Sequence, residues 1–124
     1  MPRSRLATAL FVFCPVLIGC PANMDTYRLD QLTTLTATPD GPNRLKVRYR
    51  PQSESLYYSP GVTLSEHPNH VEVLFVRCAI KEKCPVTHPA KAEAEGVMVV
   101  VIPLPSVSVR ATDGKQYQEL SSGK

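Results

Sequence analysis

The sequence contains no tryptophan and none of the short motifs that mark common catalytic sites. It has no Gly-x-Ser-x-Gly elbow, no glycine-rich phosphate loop, no His-Glu-x-x-His and no Cys-x-x-Cys. The usual signatures of α/β-hydrolases, nucleotide-binding enzymes, zinc proteases and dithiol oxidoreductases are therefore missing. We expect a protein that is not an enzyme and that carries no cofactor.

No apolar run in the sequence has the ~20 residues that a membrane-spanning helix requires. The longest, Leu6 to Ile18, follows Arg3 and Arg5, and the next, Val97 to Leu104, contains Pro103. A basic start followed by a short apolar run is typical of an export signal. The sequence thus predicts secretion and no transmembrane helix.

The apolar run ends in Leu17-Ile18-Gly19-Cys20, where an ordinary export signal would end in small residues around its cleavage site. This ending resembles the lipobox of bacterial lipoproteins. The resemblance implies that the Cys20 thiol receives a diacylglycerol, that the chain is cut before Cys20 and that the new amino group is acylated. Several acyl chains, at ~0.8 kcal/mol per buried CH₂, give a lasting membrane anchor.

On this interpretation residues 1–19 are a signal peptide, residues 20–30 are the lipidated N-terminus and tether, and residues 31–124 are one domain. The protein would be anchored in the bacterial envelope and face the periplasm, with the membrane and an envelope protein as partners. Pro21 stands where an Asp would resemble an inner-membrane retention signal. The outer membrane is therefore favoured over the inner membrane.

The four cysteines leave two for pairing if Cys20 is acylated and Cys14 is removed with the signal. Cys78 and Cys84 are then predicted to form a disulfide, the usual state of such a pair in an exported domain. Closing their short loop contributes roughly 2–2.5 kcal/mol on a chain-entropy model. The alternative is that Cys20 is a structural thiol or pairs with Cys14, whose position inside the apolar run argues against that pairing.

The charge of the chain after residue 19 is close to balanced, since Arg3 and Arg5 are the only two of the 14 basic residues before it and all 11 acids follow. This balance argues against a nucleic-acid partner. A local basic pattern remains, in which cationic side chains alternate with apolar ones: Arg44, Lys46, Arg48 and Arg50. Their period of two places them on one strand face, which we interpret as solvated; a polyanion or lipid headgroup is the alternative ligand.

Short apolar segments separated by turn residues predict an all-β fold. We expect an antiparallel two-sheet sandwich, immunoglobulin-like or fibronectin-like, with about seven strands; a small open β-barrel is the alternative. The absence of tryptophan and of a widely spaced cysteine pair argues against a true immunoglobulin domain. The candidate strands are Leu32 to Thr38, Arg44 to Arg50, Ser55 to Ser59, Gly61 to Ser65, Asn69 to Ile80, Val97 to Ile102, Ser106 to Ala111 and Lys115 to Leu120.

The sequence predicts the local conformation of two further segments. The pair Asp113-Gly114 predicts a C-terminal hairpin with a type I′ turn, which needs positive φ at both residues. Val107 and Val109 would then face inward alongside Tyr117 or Leu120. The Ala- and Glu-rich segment from residue 88 to 96 is expected to be a helical turn or a crossing loop.

Three histidines are the candidates for a metal site. The segment Cys84-Pro85-Val86-Thr87-His88 resembles the Cys-and-His loop of blue-copper proteins, and such ligands suit copper or zinc. Because Cys84 is expected in the disulfide, we favour loop histidines without a metal. A copper or zinc site that uses His67, His70 and His88 is the alternative.

Adjacent Tyr57 and Tyr58 are weak candidates for a contact surface, with one expected in the core and the other at its rim. Together, these features predict a lipid-anchored exported protein with a binding, scaffold or accessory-subunit role. The alternative function is that of a metal-binding periplasmic lipoprotein.

Overall fold

The computed structural model describes residues 25–123, which form an all-β fold without an α-helix. No helix in this part of the chain is long and apolar enough to cross a membrane. Short 3₁₀ turns lie at Leu29–Gln31 and Ala94–Gly96. The strands are β1 (Leu32–Pro39), β2 (Arg44–Pro51), β3 (Tyr57–Tyr58), β4 (Gly61–Glu66), β5 (His70–Phe75), β6 (Cys78–Ala79), β7 (His88–Pro89), β8 (Lys91–Ala92), β9 (Met98–Pro103), β10 (Ser108–Thr112) and β11 (Tyr117–Ser121).

These strands form three sheets within residues 25–123. The first has the order β1–β2–β9–β8, the second β11–β10–β5–β4–β7, and the third pairs β3 with β6. None of the three closes into a barrel. The two-residue strands form the small sheet or the edge of a large one, so the longer strands of the two large sheets account for the predicted number.

The alternating sequence of β2 determines which of its faces is buried. Leu45, Val47 and Tyr49 are at most 2% exposed, whereas the cationic residues between them lie on the opposite face. A strand with apolar residues at every second position buries one face against a core and leaves the other in water. The predicted orientation of β2 is confirmed.

The long segment Asn69 to Ile80, expected as one strand, is divided into β5 and β6. Between them Val76 pairs with Thr26, and the Arg77 backbone N–H donates to the Asp25 carbonyl (2.8 Å). The N-terminal segment thus provides the pairing partner at this break. β5 lies in the middle of the five-stranded sheet, so its predicted central position is confirmed.

Residues 25–31, most of which the sequence assigns to the tether, pack on the domain. Tyr27 is 1% exposed and belongs to the core. The Leu29 backbone N–H donates to the Asp113 carboxylate (3.0 Å), which joins this segment to the C-terminal hairpin.

The expected all-antiparallel arrangement is wrong for one strand pair, because β5 and β10 run parallel. The chain between them contains β6 to β9, and a parallel pair needs such a long connection. Turn residues in the sequence identify neighbouring hairpins but contain no information on this distant pairing.

The C-terminal hairpin forms, but its predicted turn is wrong. Thr112 pairs with Tyr117, so four residues rather than two form the loop. Gly114 has a φ of +90°, whereas Asp113 is not among the residues of positive φ. The Asp113 carboxylate instead accepts the backbone N–H groups of Lys115 (2.9 Å) and Gln116 (2.8 Å).

The side chains of this hairpin follow the prediction only in part. Val109 is buried and Leu120 packs against the core, but Tyr117 is 63% exposed. The guanidinium of Arg110 lies 4.7 Å from the centre of the Tyr117 ring on the outer face. The contact between this cation and the ring stabilises the outward position of Tyr117.

The core contains residues from both large sheets in one cluster. Tyr49 of β2 contacts Phe75 of β5, with ring centroids 4.6 Å apart. The Tyr49 hydroxyl forms a buried hydrogen bond with Ser59 (2.7 Å), and burial raises the pKa of Tyr49 to about 12. The buried cluster comprises Tyr27, Leu32, Leu45, Val47, Tyr49, Val62, Val73, Phe75, Val100, Ile102, Val109 and Ala111.

Candidate functional site

Cys78 and Cys84 form the disulfide that the sequence predicts, with their Cα atoms 5.9 Å apart. Cys78 begins β6 and is buried, and Cys84 follows the exposed turn after this strand. The bond occupies the Cys84 sulfur. The segment from Cys84 to His88 therefore cannot act as a thiolate copper loop while the disulfide is intact.

His67 and His70 lie opposite each other at the β4–β5 turn. Pro68 and Asn69 form the tip of this turn, and the His67 backbone N–H donates to the His70 carbonyl (2.9 Å). The imidazole rings stack with centroids 4.6 Å apart and an angle of 10° between their planes. This arrangement places two ring nitrogens on the same outer face of the hairpin.

Glu72 completes this group, which we call the histidine cluster (His67, His70 and Glu72). Its carboxylate accepts from Nε2 of His67 at 3.2 Å and from Nε2 of His70 at 3.1 Å, through different oxygens. The hydrogen bond from His70 is the main factor that lowers the pKa of Glu72 below its usual range, against the opposing effect of burial. Ser65 Oγ lies 3.2 Å from His67 Nε2 at the edge of the cluster.

His88 is not part of this cluster. It lies in β7 and pairs with Val62, near the start of β4, whereas His67 follows the end of β4. The structure therefore brings together two of the three histidines considered from the sequence. The third residue of the cluster is Glu72, which contributes a carboxylate and was not among the residues predicted from the sequence.

A sequence signal for Glu72 was available. In His70-Val71-Glu72 the first and third residues are two apart, and in a strand such residues point to the same face. Val71 and Val73 face the interior, so His70 and Glu72 must both face outward. Strand periodicity therefore identifies Glu72 as a neighbour of His70, whereas His88 was a candidate only because it follows Cys84 in the sequence.

The basic residues of β2 form a row on the outer face of the first sheet. The neighbouring strands contribute threonines from β1 and valines from β9 to the same face, since Thr36 pairs with Arg48 and Arg48 pairs with Val99. Arg48 forms an ion pair with Glu93 (3.3 Å), and Arg44 forms one with Asp40 (3.4 Å). These acids partly neutralise the row formed by Arg44, Lys46, Arg48 and Arg50.

Arg77 connects the N-terminal segment to the domain. Its guanidinium donates to both oxygens of Glu54 (3.0 and 2.6 Å) and to Asp25 (2.9 Å), and lies 3.6 Å above the centre of the Tyr57 ring. The bond from Arg77 lowers the pKa of Glu54, while burial and then Glu54 raise the pKa of Tyr27 to about 12. This contact fixes the position of Asp25 beside β6.

Tyr58 belongs to an exposed surface on the small β3–β6 sheet. Leu56 is 68% exposed, Ile80 59% and Tyr58 37%, and the Ile80 backbone N–H donates to the Leu56 carbonyl (2.9 Å). We call these three residues the apolar tip. Neither Tyr57 nor Tyr58 is buried in the core, contrary to the expectation that one of them would be.

Exposed Lys81 and Lys83 follow Ile80 directly in the sequence. They flank Glu82, whose backbone carbonyl accepts a hydrogen bond from the Tyr58 hydroxyl (3.2 Å). The apolar tip thus combines large apolar side chains with cations beside them.

Comparisons with protein-family models, with curated proteins and with solved structures find no match to this chain. The predicted lipobox and Cys20 lie outside the residues that the structure describes.

Proposed function

We propose that this protein is an exported lipoprotein, anchored in a bacterial envelope membrane by acyl chains on Cys20, whose domain has a binding, scaffold or accessory-subunit role. The observation that carries the proposal is Leu17-Ile18-Gly19-Cys20 after a basic start and a short apolar run. The disulfide supports it, because such bonds persist in exported proteins.

The position of the apolar tip fits an anchor at Cys20. Asp25 is the fifth residue after Cys20, and five residues span at most ~18 Å. Asp25 contacts Arg77, and Ile80 is three residues further along the chain, within ~11 Å of Arg77 by the same measure. An anchor at Cys20 would therefore allow the apolar tip to reach the lipid headgroups.

The chemistry of the apolar tip suits such a surface. Exposed Leu56 and Ile80 can enter the headgroup region, and tyrosines such as Tyr58 are enriched at the boundary between membrane and water. Lys81 and Lys83 would each gain about 1 kcal/mol near an anionic leaflet. This orientation leaves the β4–β5 turn, at the other end of β5, directed away from the membrane.

We also propose that the domain is a two-sheet sandwich of the immunoglobulin-like or fibronectin-like kind. The shared core of the two large sheets and the contact between Tyr49 and Phe75 support face-to-face packing. A rigid sandwich would provide outer sheet faces and turns as contact surfaces for an envelope partner.

Replacement of the proposed lipidated residue tests the anchor. Cys20→Ala should move the protein from the membrane to the soluble or precursor fraction, because the thiol proposed to accept the diacylglycerol is removed. Cys14→Ala is the matched control and should leave membrane attachment unchanged. A Cys20→Ala protein that matures to the same size and stays with the membrane would contradict the proposal.

A further inference from the structure

We propose that the histidine cluster is a binding site for one divalent transition-metal ion, with Zn²⁺ as the test ion, ligated by His67 Nε2, His70 Nε2 and a Glu72 carboxylate oxygen. The proposal does not depend on a lipid anchor. It differs from the sequence-based alternative because Glu72 replaces His88 in the ligand set.

The potential ligand atoms of the three residues converge on one point. Nε2 of His67 and Nε2 of His70 each lie 3.1–3.2 Å from a Glu72 oxygen, and the potential ligand atoms of the three residues all lie within 4.8 Å of one another. Ligands at 2.0–2.2 Å from a tetrahedral Zn²⁺ are ~3.4 Å apart. These atoms are therefore close enough to share one ion once the His67 ring turns out of its parallel stack on His70, because an imidazole nitrogen binds a metal in the plane of its ring.

The backbone that holds these ligands belongs to paired strands. His70 and Glu72 are both in β5, the central strand of its sheet, and His67 is held opposite His70 by the bond between their backbone groups. Ligands on paired strands keep their spacing better than ligands on a free loop. The exposed ring of His67 retains enough freedom to adjust to the ion.

The charge of the histidine cluster favours a cation. Two neutral imidazoles and one carboxylate present a single negative charge to the ion. The ion would take the place of the proton on each Nε2, and that proton moves to Nδ1 of the same ring, so both imidazoles stay neutral. Arg110, whose Cα is paired with that of Glu72 across β5 and β10, directs its guanidinium to the Tyr117 ring. Both ion pairs of Glu72 are with the histidines, so the carboxylate is available to a metal.

Two imidazoles and a carboxylate define the class of ion that the cluster would take. This set suits borderline ions such as Zn²⁺ and Cu²⁺ better than Ca²⁺ or Mg²⁺, which prefer oxygen ligands. Three protein ligands leave a fourth position of a tetrahedral ion for water or for a ligand from a partner. The exposure of the turn makes this position accessible from outside.

The test is isothermal titration of the purified full chain with ZnCl₂, without a reducing agent. The disulfide must stay intact, because reduced Cys78 and Cys84 would form a second group of ligands with Glu82. We expect one Zn²⁺ per chain and an increase in Tm with added Zn²⁺. Cu²⁺ should bind more tightly than Zn²⁺.

The variants His70→Ala and Glu72→Gln should each weaken Zn²⁺ binding by at least ~10-fold, since even outer-shell changes at metal sites can have effects of this size. His88→Ala is the matched control and should bind like the parent. Thermal unfolding without metal verifies that each variant is folded. Binding that is absent in the parent, unchanged in folded cluster variants or equally weakened by His88→Ala would overturn the proposal.

Discussion

Gly61 lies where β4 passes the backbone of β7. A Cβ atom at this position would lie 2.9 Å from Pro89 Cα and would also contact the His88 carbonyl oxygen. Both contacts are with backbone, which cannot move aside as a flexible side chain can. The lack of a side chain at Gly61 allows β7 to pair with β4 at the sheet edge.

Gly61→Ala should therefore destabilise the domain more than Gly114→Ala does. Gly114, with a φ of +90°, has open space around its Cβ position, so its substitution costs only backbone strain of about 1–2 kcal/mol. At Gly61 the clash of the added Cβ with the β7 backbone should cost about 1–3 kcal/mol in addition to backbone strain. Urea unfolding measures both variants, and equal midpoints would show that β7 does not press on Gly61.

At the scale of single residues, the sequence predicts orientation well and side-chain partners poorly. Period-two alternation correctly orients Leu45, Val47 and Tyr49, because burial of one face determines the register. It does not identify Arg77 as the partner of Glu54 and Asp25, since such contacts depend on how separate segments pack.

The C-terminal hairpin is held to the N-terminal segment by the carboxylate of Asp113. Burial tends to raise the pKa of Asp113, but backbone N–H groups of Gln116, Leu29 and Lys115 outweigh it and lower the pKa below its ordinary value of 3.8. A lowered pKa in the folded state means that this carboxylate stabilises the fold above pH 3.8, and the stabilisation is lost as the pH falls through the folded-state pKa.

Asp113→Ala should reduce the free energy of unfolding by about 1–3 kcal/mol at pH 7, because the variant leaves three backbone donors without their charged acceptor. The difference from the parent should shrink as the pH falls below 3.8. Glu54 and Glu72 also have lowered pKa values, but they are common to both proteins and cancel in the difference. Asp30→Ala, at an exposed position, is the control. A difference in unfolding free energy between Asp113→Ala and the parent that does not change with pH would contradict this role of Asp113.

At the scale of elements, the sequence predicts local features and misses distant ones. The β4–β5 and β10–β11 hairpins follow from turn residues between apolar segments. The four-residue loop at Asp113 and the parallel β5–β10 pair do not follow from the local sequence. Asp113 contacts Leu29, and β10 pairs with β5, and both partners lie far away along the chain. Two of the three members of the histidine cluster, His67 and His70, were candidates from the sequence because they share a turn. Glu72 was missed although its spacing from His70 in β5 places both side chains on the same face.

The whole molecule is expected to have a defined orientation at the membrane. Ile80 of the apolar tip follows the C-terminal end of β5, and Asn69 lies in the turn at the N-terminal end of this strand. The chain has no tryptophan, so Ile80→Trp and Asn69→Trp each introduce a single fluorescent reporter. In vesicles of phosphatidylethanolamine and phosphatidylglycerol, brominated lipids should quench the reporter of Ile80→Trp strongly and leave that of Asn69→Trp nearly unchanged.

This comparison separates orientation from anchoring. If the full chain floats with the vesicles but neither reporter is quenched, or both are quenched equally, the anchor remains and the proposed role of the apolar tip is wrong. Lys81→Glu combined with Lys83→Glu should reduce the quenching in the Ile80→Trp protein, because these changes reverse the attraction to anionic lipid.

The mass of the N-terminal peptide of the membrane-bound protein gives the sharpest test of the lipid anchor on Cys20. We expect a peptide that begins at Cys20 and carries a diacylglycerol on its sulfur, with a further acyl chain on its amino group. A mature peptide in which the Gly19-Cys20 bond is intact, or in which Cys20 is a free thiol, would contradict the claim.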